Sequence, residues 1–325
     1  MKLIKLMRLF IICLIFMLPS KLNAQPQRFT ASYIDSITQD EDERKLYFPS
    51  FVFAESVRNE IYVISRNMIL IYTSDLFPLF TLDIRFDIEA PLGLTVDTEG
   101  NLYVAQAATK DYPRHRISVF NACLKWERDI YFQGFEGADS FVPHSLAINK
   151  QGNIYVSASY FPGILILDSK GKFLEMLSPE EEERKVKITS LTVDKSGRIY
   201  LVSEEEGHVY VYDDNRKFLF QFGVKGGSSA KLSRPMAVGV DNSNGRIYVV
   251  DYMRHTISVY DKDGKYLTEF AGLGWGEGWL QHPRYISVDN SGNILVADTF
   301  NHRIEVFQLR EQSGVKNEGE EPVKH

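Results

Sequence analysis

Cysteine is scarce in this sequence, with two residues in 325, Cys13 and Cys123. Cys13 lies in an N-terminal segment that we expect to be removed, which leaves Cys123 alone and excludes an internal disulfide in the mature chain. Stability must therefore come from a packed apolar core, for which 44% apolar residues are ample. We expect Cys123 to be a buried and inert thiol.

Basic residues are in the minority, at 37 against 43 acidic residues. Residues 1–24 hold four basic residues and no acidic one, so their removal leaves 33 basic and 43 acidic residues, a net charge of −10. A strongly acidic domain binds polyanions poorly, which disfavours nucleic acid as a partner. The sequence also lacks a phosphate-binding loop, a Ser-His-Asp arrangement that stands out, and a Cys/His cluster.

The sequence also lacks an apolar run long enough to span a bilayer comfortably. The clearest apolar run, residues 9–19, is too short. It follows a basic start and precedes Ala24, a small residue suited to cleavage. This pattern predicts a secretory signal peptide over residues 1–24, and hence a secreted, periplasmic or cell-envelope protein without stable membrane insertion. The alternative is a short anchor that is not cleaved.

What the sequence does contain is a repeat. Residues 283–307 alternate Val, Ile and aromatic residues between Asn/Asp/Gly turns, which predicts an antiparallel meander. Similar units begin at Pro49, Pro91, Pro143, Ile188, Pro235 and Pro283, at intervals from 42 (49 to 91) to 52 residues (91 to 143). A multi-stranded repeat of this length is typical of propeller blades, which must stack to bury both faces.

Most units add a fourth strand, but the chain becomes polar after residue 309, and we expect a flexible tail over 310–325. A β-rich segment at residues 29–37 precedes the first repeat and can supply the missing strand. We therefore predict an all-β fold over residues 25–309. It is a six-bladed β-propeller of four-stranded antiparallel blades, closed by an N-terminal strand that removes exposed edges.

The last two units carry polar residues at fixed places: Asp251 in one, and Asp298, Asn301 and Arg303 in the other. With the strand pattern, these units resemble NHL repeats, and the resemblance implies a six-bladed propeller. We expect the Asp to hold the turn that follows it, by accepting from Arg303 or from a backbone N–H. The short Asp-x-x-Gly turns, such as the one at Asp289, are expected to be structural.

In a propeller, the turns between first and second strands lie on one face of the ring, and the second-to-third strand turns and inter-blade links lie on the other. The loops of this second face are irregular. Residues 107–116 form a charged and aromatic insertion, and residues 271–282 place two Trp among glycines. Loops of this kind on a rigid scaffold are where binding usually occurs. The candidate ligand-binding residues here are Tyr112, Arg114, His115, Trp275 and Trp279.

His144 follows Pro143 at the start of an innermost strand, where side chains can face the central channel. The segment VPHSLA is similar to the zinc-binding Pro-His segments of peptidylglycine amidating lyases, and this resemblance implies one such His from each of three blades. The equivalent positions here are Ser50, Leu92, Thr189, Met236 and Arg284, none of which is His. Because no full set of zinc or calcium ligands can be assembled, we predict no catalytic residue, metal site or cofactor.

We therefore expect an exported binding or scaffold module rather than an enzyme, for a protein, peptide or glycan partner. It would be monomeric or part of an envelope complex. His144 and Arg284 join the candidate site at the channel mouth. The alternative is a metal-dependent lyase or hydrolase, like the amidating lyases or the propeller lactonases, that acts in the central channel.

Overall fold

The computed structural model describes residues 28–159, 161–181 and 184–312. The expected signal peptide and the expected tail beyond residue 312 lie outside these residues. Within the described part of the chain, no helix is long and apolar enough to cross a bilayer.

Six four-stranded antiparallel sheets form the blades, each with consecutive strands as neighbours except the last. Blades 1 and 2 contain β2 (Pro49–Ala54), β3 (Glu60–Ser65), β4 (Met68–Thr73), β5 (Pro78–Leu82), β6 (Pro91–Val96), β7 (Leu102–Gln106), β8 (Arg116–Phe120) and β9 (Trp126–Tyr131). Blades 3 and 4 contain β10 (Val142–Ile148), β11 (Ile154–Ser159), β12 (Ile164–Leu167), β13 (Phe173–Leu177), β16 (Ser190–Val193), β17 (Ile199–Ser203), β18 (His208–Tyr212) and β19 (Phe218–Phe222).

Blade 5 contains β20 (Pro235–Val240), β21 (Ile247–Asp251), β22 (Thr256–Tyr260) and β23 (Tyr266–Phe270). A two-stranded ribbon, β14 (Glu180–Glu181) with β15 (Arg184–Lys185), lies between blades 3 and 4 in the sequence. Three single-turn 3₁₀ helices lie in connections, at Ile84–Phe86, Ala138–Ser140 and Thr299–Asn301.

The sixth blade joins the two ends of the chain. Its strand order is β1 (Arg28–Ile37), β26 (Arg303–Gln312), β25 (Ile294–Asp298) and β24 (Tyr285–Val288). The N-terminal strand therefore supplies the fourth position of the blade, and the predicted six-bladed propeller with N-terminal closure is confirmed.

The core lies between neighbouring blades. The second and third strands are buried on both sides, as in β7 and β8, because each blade packs against a blade on either side. One cluster joins blades 2 and 3 through residues such as Ile117, Phe141 and Val156. The fourth strands form the rim, so β9 and β19 are more exposed than the second and third strands. The prediction for Cys123 was wrong: the thiol is exposed in the turn between β8 and β9.

Candidate functional site

The first face of the ring carries the turns between first and second strands, and these turns are internally satisfied. Asp289 Oδ1 accepts hydrogen bonds from the backbone N–H groups of Ser291 and Asn293, both at 2.8 Å. Asp97, Asn149 and Asp194 accept from their own turns in the same way. These carboxylates and amides are occupied in holding turns together.

A cavity of about 370 Å³ opens on this first face, lined by the ends of the inner strands and their turns. Its lining includes Tyr285, a buried residue of blade 6. The Tyr285 hydroxyl lies 3.0 Å from Ser145 Oγ in blade 3, on the opposite side of the ring. The Tyr285 ring also lies 4.0 Å from the ring of Phe51. The phenol therefore crosses the channel and separates its two mouths.

The second face carries the second-to-third turns and the inter-blade links, and here the channel positions are shaped by β-bulges. The pairing of inner and second strands shifts just after Pro49, Pro91, Pro143 and Pro235. A bulge re-aims a side chain, and it falls on the residue after each proline. His144 occupies this position in blade 3, and Gly93 in blade 2 allows the close approach, since a Cβ there would lie 2.2 Å from the His144 carbonyl oxygen.

Asp298 holds the second face of blade 6 together. Its buried carboxylate accepts from Arg303 Nε at 3.0 Å and from Asn301 Nδ2 at 2.7 Å. Burial raises the pKa of Asp298, although these donors and the charge of Arg303 oppose the rise. In four blades, a side chain at the end of the second strand also accepts from the backbone N–H two residues before the blade-opening proline. The pairs are Ser65 with Tyr47, Gln106 with Glu89, Asp251 with Ser233, and Asp298 with Gln281.

Two histidines add a second link between adjacent blades. His255 Nδ1 accepts from the backbone N–H of His282 at 2.9 Å, and His302 Nδ1 accepts from Phe48 at 3.0 Å. Both donors directly precede a blade-opening proline. Burial, with the neighbouring charge of His282, lowers the pKa of His255, which keeps its acceptor nitrogen unprotonated.

These links bring together a row of rings that we call the aromatic belt. Successive ring centroids along it lie 4.6–5.4 Å apart. Three of its rings are 37–46% exposed, although they are large and aromatic. A contiguous exposed aromatic surface is a feature of binding sites. The belt crosses blades 1, 6 and 5 and consists of Tyr47, Phe48, His302, Phe300, His282 and Tyr252.

Arginines flank both ends of the belt. Arg66 lies over the ring of Tyr47 at 3.6 Å. At the other end, Arg234 and Arg284 lie 4.9 and 5.8 Å from the ring centre of Tyr252. On a chain of net negative charge, the belt is thus framed by cations.

The predicted residues of blade 2 lie elsewhere on this face. Arg114 and His115 line a groove of about 260 Å³ that also contains Asp139. His115 Nδ1 accepts from the backbone N–H of Ala108 at 3.0 Å, and burial lowers its pKa. The Tyr112 hydroxyl donates to Asp87 at 2.8 Å, which raises the pKa of this phenol.

Trp275 and Trp279 lie in the link between blades 5 and 6, so the structure places them apart from the blade 2 group. They are 77% and 51% exposed. Trp279 covers Gly272 and Gly274, where an added Cβ would lie 2.9 Å from the indole and 2.8 Å from the Trp279 Cβ, respectively. The link is anchored from below by Glu305, which accepts from the Gly278 N–H at 3.0 Å and whose pKa burial raises to about 7.

Among the described residues, no group of three or more His, Cys, Asp or Glu side chains is arranged to hold a metal ion. His144 stands without a second histidine at the channel positions of the other blades. The side chains at these positions therefore do not fit the three-histidine zinc centre considered above.

The sheets and their circular closure define the class of protein, a six-bladed β-propeller. Residues 232–317 match a protein family described as a 6-bladed beta-propeller. No curated protein matches the chain. The resemblance to NHL repeats is thus supported at the level of the six-bladed propeller.

Solved structures share the fold at low identity. A structural genomics protein of unknown function from Bacteroides thetaiotaomicron VPI-5482 is 15% identical, with a TM-score of 0.64 over 87% of this chain and 76% of that one. An auxiliary nutrient binding protein from Bacteroides ovatus ATCC 8483 is 14% identical, with a TM-score of 0.61 over 88% and 78%. A streptogramin B lyase is 12% identical, with a TM-score of 0.58 over 87% and 98%. These similarities establish the architecture alone.

Proposed function

We propose that this chain is an exported binding module that holds a polypeptide segment on its second face, along the aromatic belt. The contiguous exposure of Tyr47, Phe48 and Phe300 between flanking arginines carries the proposal. Tyrosine and arginine are the residue types that dominate protein-binding hot spots. Export follows from the basic start and short apolar run of residues 1–24.

The tilt of the rings favours a polypeptide over a glycan. Phe48 meets Tyr47 at 87° and Phe300 at 78°, and His282 meets Phe300 at 56°. Such edge-to-face and tilted contacts leave notches between rings, which accept the side chains of an extended peptide, as aromatic-lined grooves do. A chain of sugars would stack better on ring faces that share a plane. One structural neighbour is an auxiliary nutrient binding protein, which agrees with a binding role.

The experiment compares four forms of residues 25–325, the unaltered protein and three variants, against a random peptide display library and a glycan array. Peptides selected by the unaltered protein are measured by calorimetry. The double variant Phe48→Ala/Phe300→Ala should lose at least ten-fold in affinity, because about 1.4 kcal/mol corresponds to a factor of ten and two exposed ring contacts are removed. Phe218→Ala is the matched control, since this ring is 48% exposed on an outer strand of blade 4.

Retention of full affinity by the belt variant would overturn the proposal, as would glycan binding without peptide binding. The double variant Trp275→Ala/Trp279→Ala belongs in the same series. We propose that the link between blades 5 and 6, which carries both Trp residues, extends the polypeptide-binding surface, as do Tyr112, Arg114 and His115. The Trp double variant should therefore also weaken binding without unfolding the protein.

A further inference from the structure

Arg284, which lies at the Tyr252 end of the belt, lacks a carboxylate partner among the described residues. Arg284 is exposed, and within the described residues its guanidinium makes no ion pair or hydrogen bond; its one contact of note is with the ring of Tyr252. Arg234 reaches the same ring but is already paired with Glu204. The two arginines at this ring therefore differ, and only Arg284 has its donors available to a ligand.

Two histidines on this face have ring nitrogens with no partner. Nδ1 of His144 and Nδ1 of His282 are both buried, and neither makes a hydrogen bond within the described chain. Burial lowers the pKa of His144 and the charge of Arg284 lowers it further, while a hydrogen bond to the Thr189 backbone and the charge of Glu204 act in the opposite direction. Arg284 and His144 directly precede Tyr285 and Ser145, whose hydroxyls lie 3.0 Å apart across the channel, and Glu204 is paired with Arg234 at the Tyr252 ring. Buried polar atoms are normally satisfied, so orphans that adjoin an unpaired cation indicate a site completed by a ligand.

We infer that the second-face mouth of the channel is a seat for a carboxylate of the polypeptide bound along the belt. Arg284 would grip the carboxylate through its paired N–H groups. Tyr285 closes the channel behind the seat, so the carboxylate arrives from the belt side. Glu204 near the seat disfavours a doubly charged phosphate. The polypeptide part of this inference rests on the proposed function, and the anion seat does not.

The seat is tested by NMR titration of the isotopically labelled protein with three small probes. N-acetylaspartate amide carries a side-chain carboxylate, N-acetylalanine carries a terminal carboxylate, and N-acetylasparagine amide is the neutral control. We expect one or both acids to shift the Arg284 Nε–H and the His144 ring signals, at least ten-fold more tightly than the neutral probe. The acid that binds identifies the source, an acidic side chain or a chain terminus.

Equal response to the acids and the neutral amide would overturn the seat, as would no response or tighter binding of inorganic phosphate. Arg284→Gln should weaken acid binding at least ten-fold, while the matched change Arg66→Gln at the far end of the belt should leave it within two-fold. Equal losses in both would reduce the effect to general charge and overturn the inference. His144→Gln should weaken acid binding less than Arg284→Gln, because it alters a neutral neighbour and leaves the cation in place.

The two proposals fail separately. The belt variant Phe48→Ala/Phe300→Ala should retain acid binding, because those rings lie away from Arg284 along the belt. If that variant also retains peptide affinity, the polypeptide function fails and the anion seat is untouched. If peptides bind through the belt but the acids do not shift Arg284, the seat alone fails.

Discussion

On the first face, Asp289 spends its hydrogen-bonding capacity on the backbone of its own turn, whereas on the second face Arg284 is exposed without an ion-pair partner among the described residues. Both faces are polar and both open on the same channel. The number of polar groups on a face therefore does not identify it as a binding face. What identifies it is whether those groups already have partners within the fold.

The largest effect on the free energy of unfolding is expected at Tyr285, which lies between the two mouths of the channel. Tyr285→Ala removes a buried ring that spans the channel, so it should lower the free energy of unfolding by about 3–5 kcal/mol through cavity formation. Tyr285→Phe keeps the ring and loses one hydrogen bond to Ser145, so about 1 kcal/mol is expected. Urea denaturation measures both. Similar losses in the two variants would show that the hydroxyl, and not the filled channel, divides the faces.

A smaller effect separates the two faces by the role of their carboxylates. Asp298→Ala strips a buried acceptor from Arg303 and from the link before blade 6, and should cost about 3 kcal/mol. Asp289→Ala removes an acceptor from an exposed turn, and should cost about 1 kcal/mol. Thermal and urea unfolding of the pair give the comparison. An equal cost would contradict the view that second-face carboxylates join blades while first-face ones shape turns.

The smallest effect is a pH dependence on the second face. Because the pKa of His255 is lowered in the folded chain, the unfolded chain binds the proton more readily. This contribution to stability is complete above the ordinary histidine pKa of about 6.5 and declines as the pH falls below it. His255→Asn keeps an acceptor for the His282 N–H and cannot be protonated, so the variant should lose less stability between pH 7 and pH 5.

The comparison must be made as a difference between variant and unaltered protein. Glu305 acts with the opposite sign, since its pKa is raised to about 7 and its contribution is lost as the pH rises from about 4.5 to 7. That contribution is common to both proteins and cancels. Parallel pH profiles for the two proteins would refute a neutral, inter-blade role for His255.

The fold could be predicted from the repeat because each blade is formed by a continuous segment whose strands and turns have a recognisable residue pattern. The turn at Asp289 and the strands around it are where the alternation of residues 283–307 predicted them, and the N-terminal strand could be placed because the last unit lacked a partner. Cys123 was misplaced because a turn position gives no periodic signal for burial. The bulge beside Pro143 was not foreseen either, since one extra residue leaves the strand pattern intact.

The aromatic belt was missed for a different reason. Phe48 and Phe300 are 252 positions apart (300 minus 48) and touch only because the ring closes. A weak signal existed, since each ring lies either in a link just before a repeat proline, as Phe48 and His282 do, or in a turn between second and third strands, as Phe300 does. Aligning the links as well as the strands would have collected them.

The sixth blade has a consequence for how the protein is made. Its outer strand, β1, is synthesised before every other described strand, and its neighbour β26 is the last of them. The earliest strand must therefore wait unpaired until the chain is nearly complete, and such distant pairing folds slowly. A product that stops before β26 keeps an open edge, which invites aggregation. Only a chain that includes β26 can therefore pair β1 and close the ring without an unpaired strand edge.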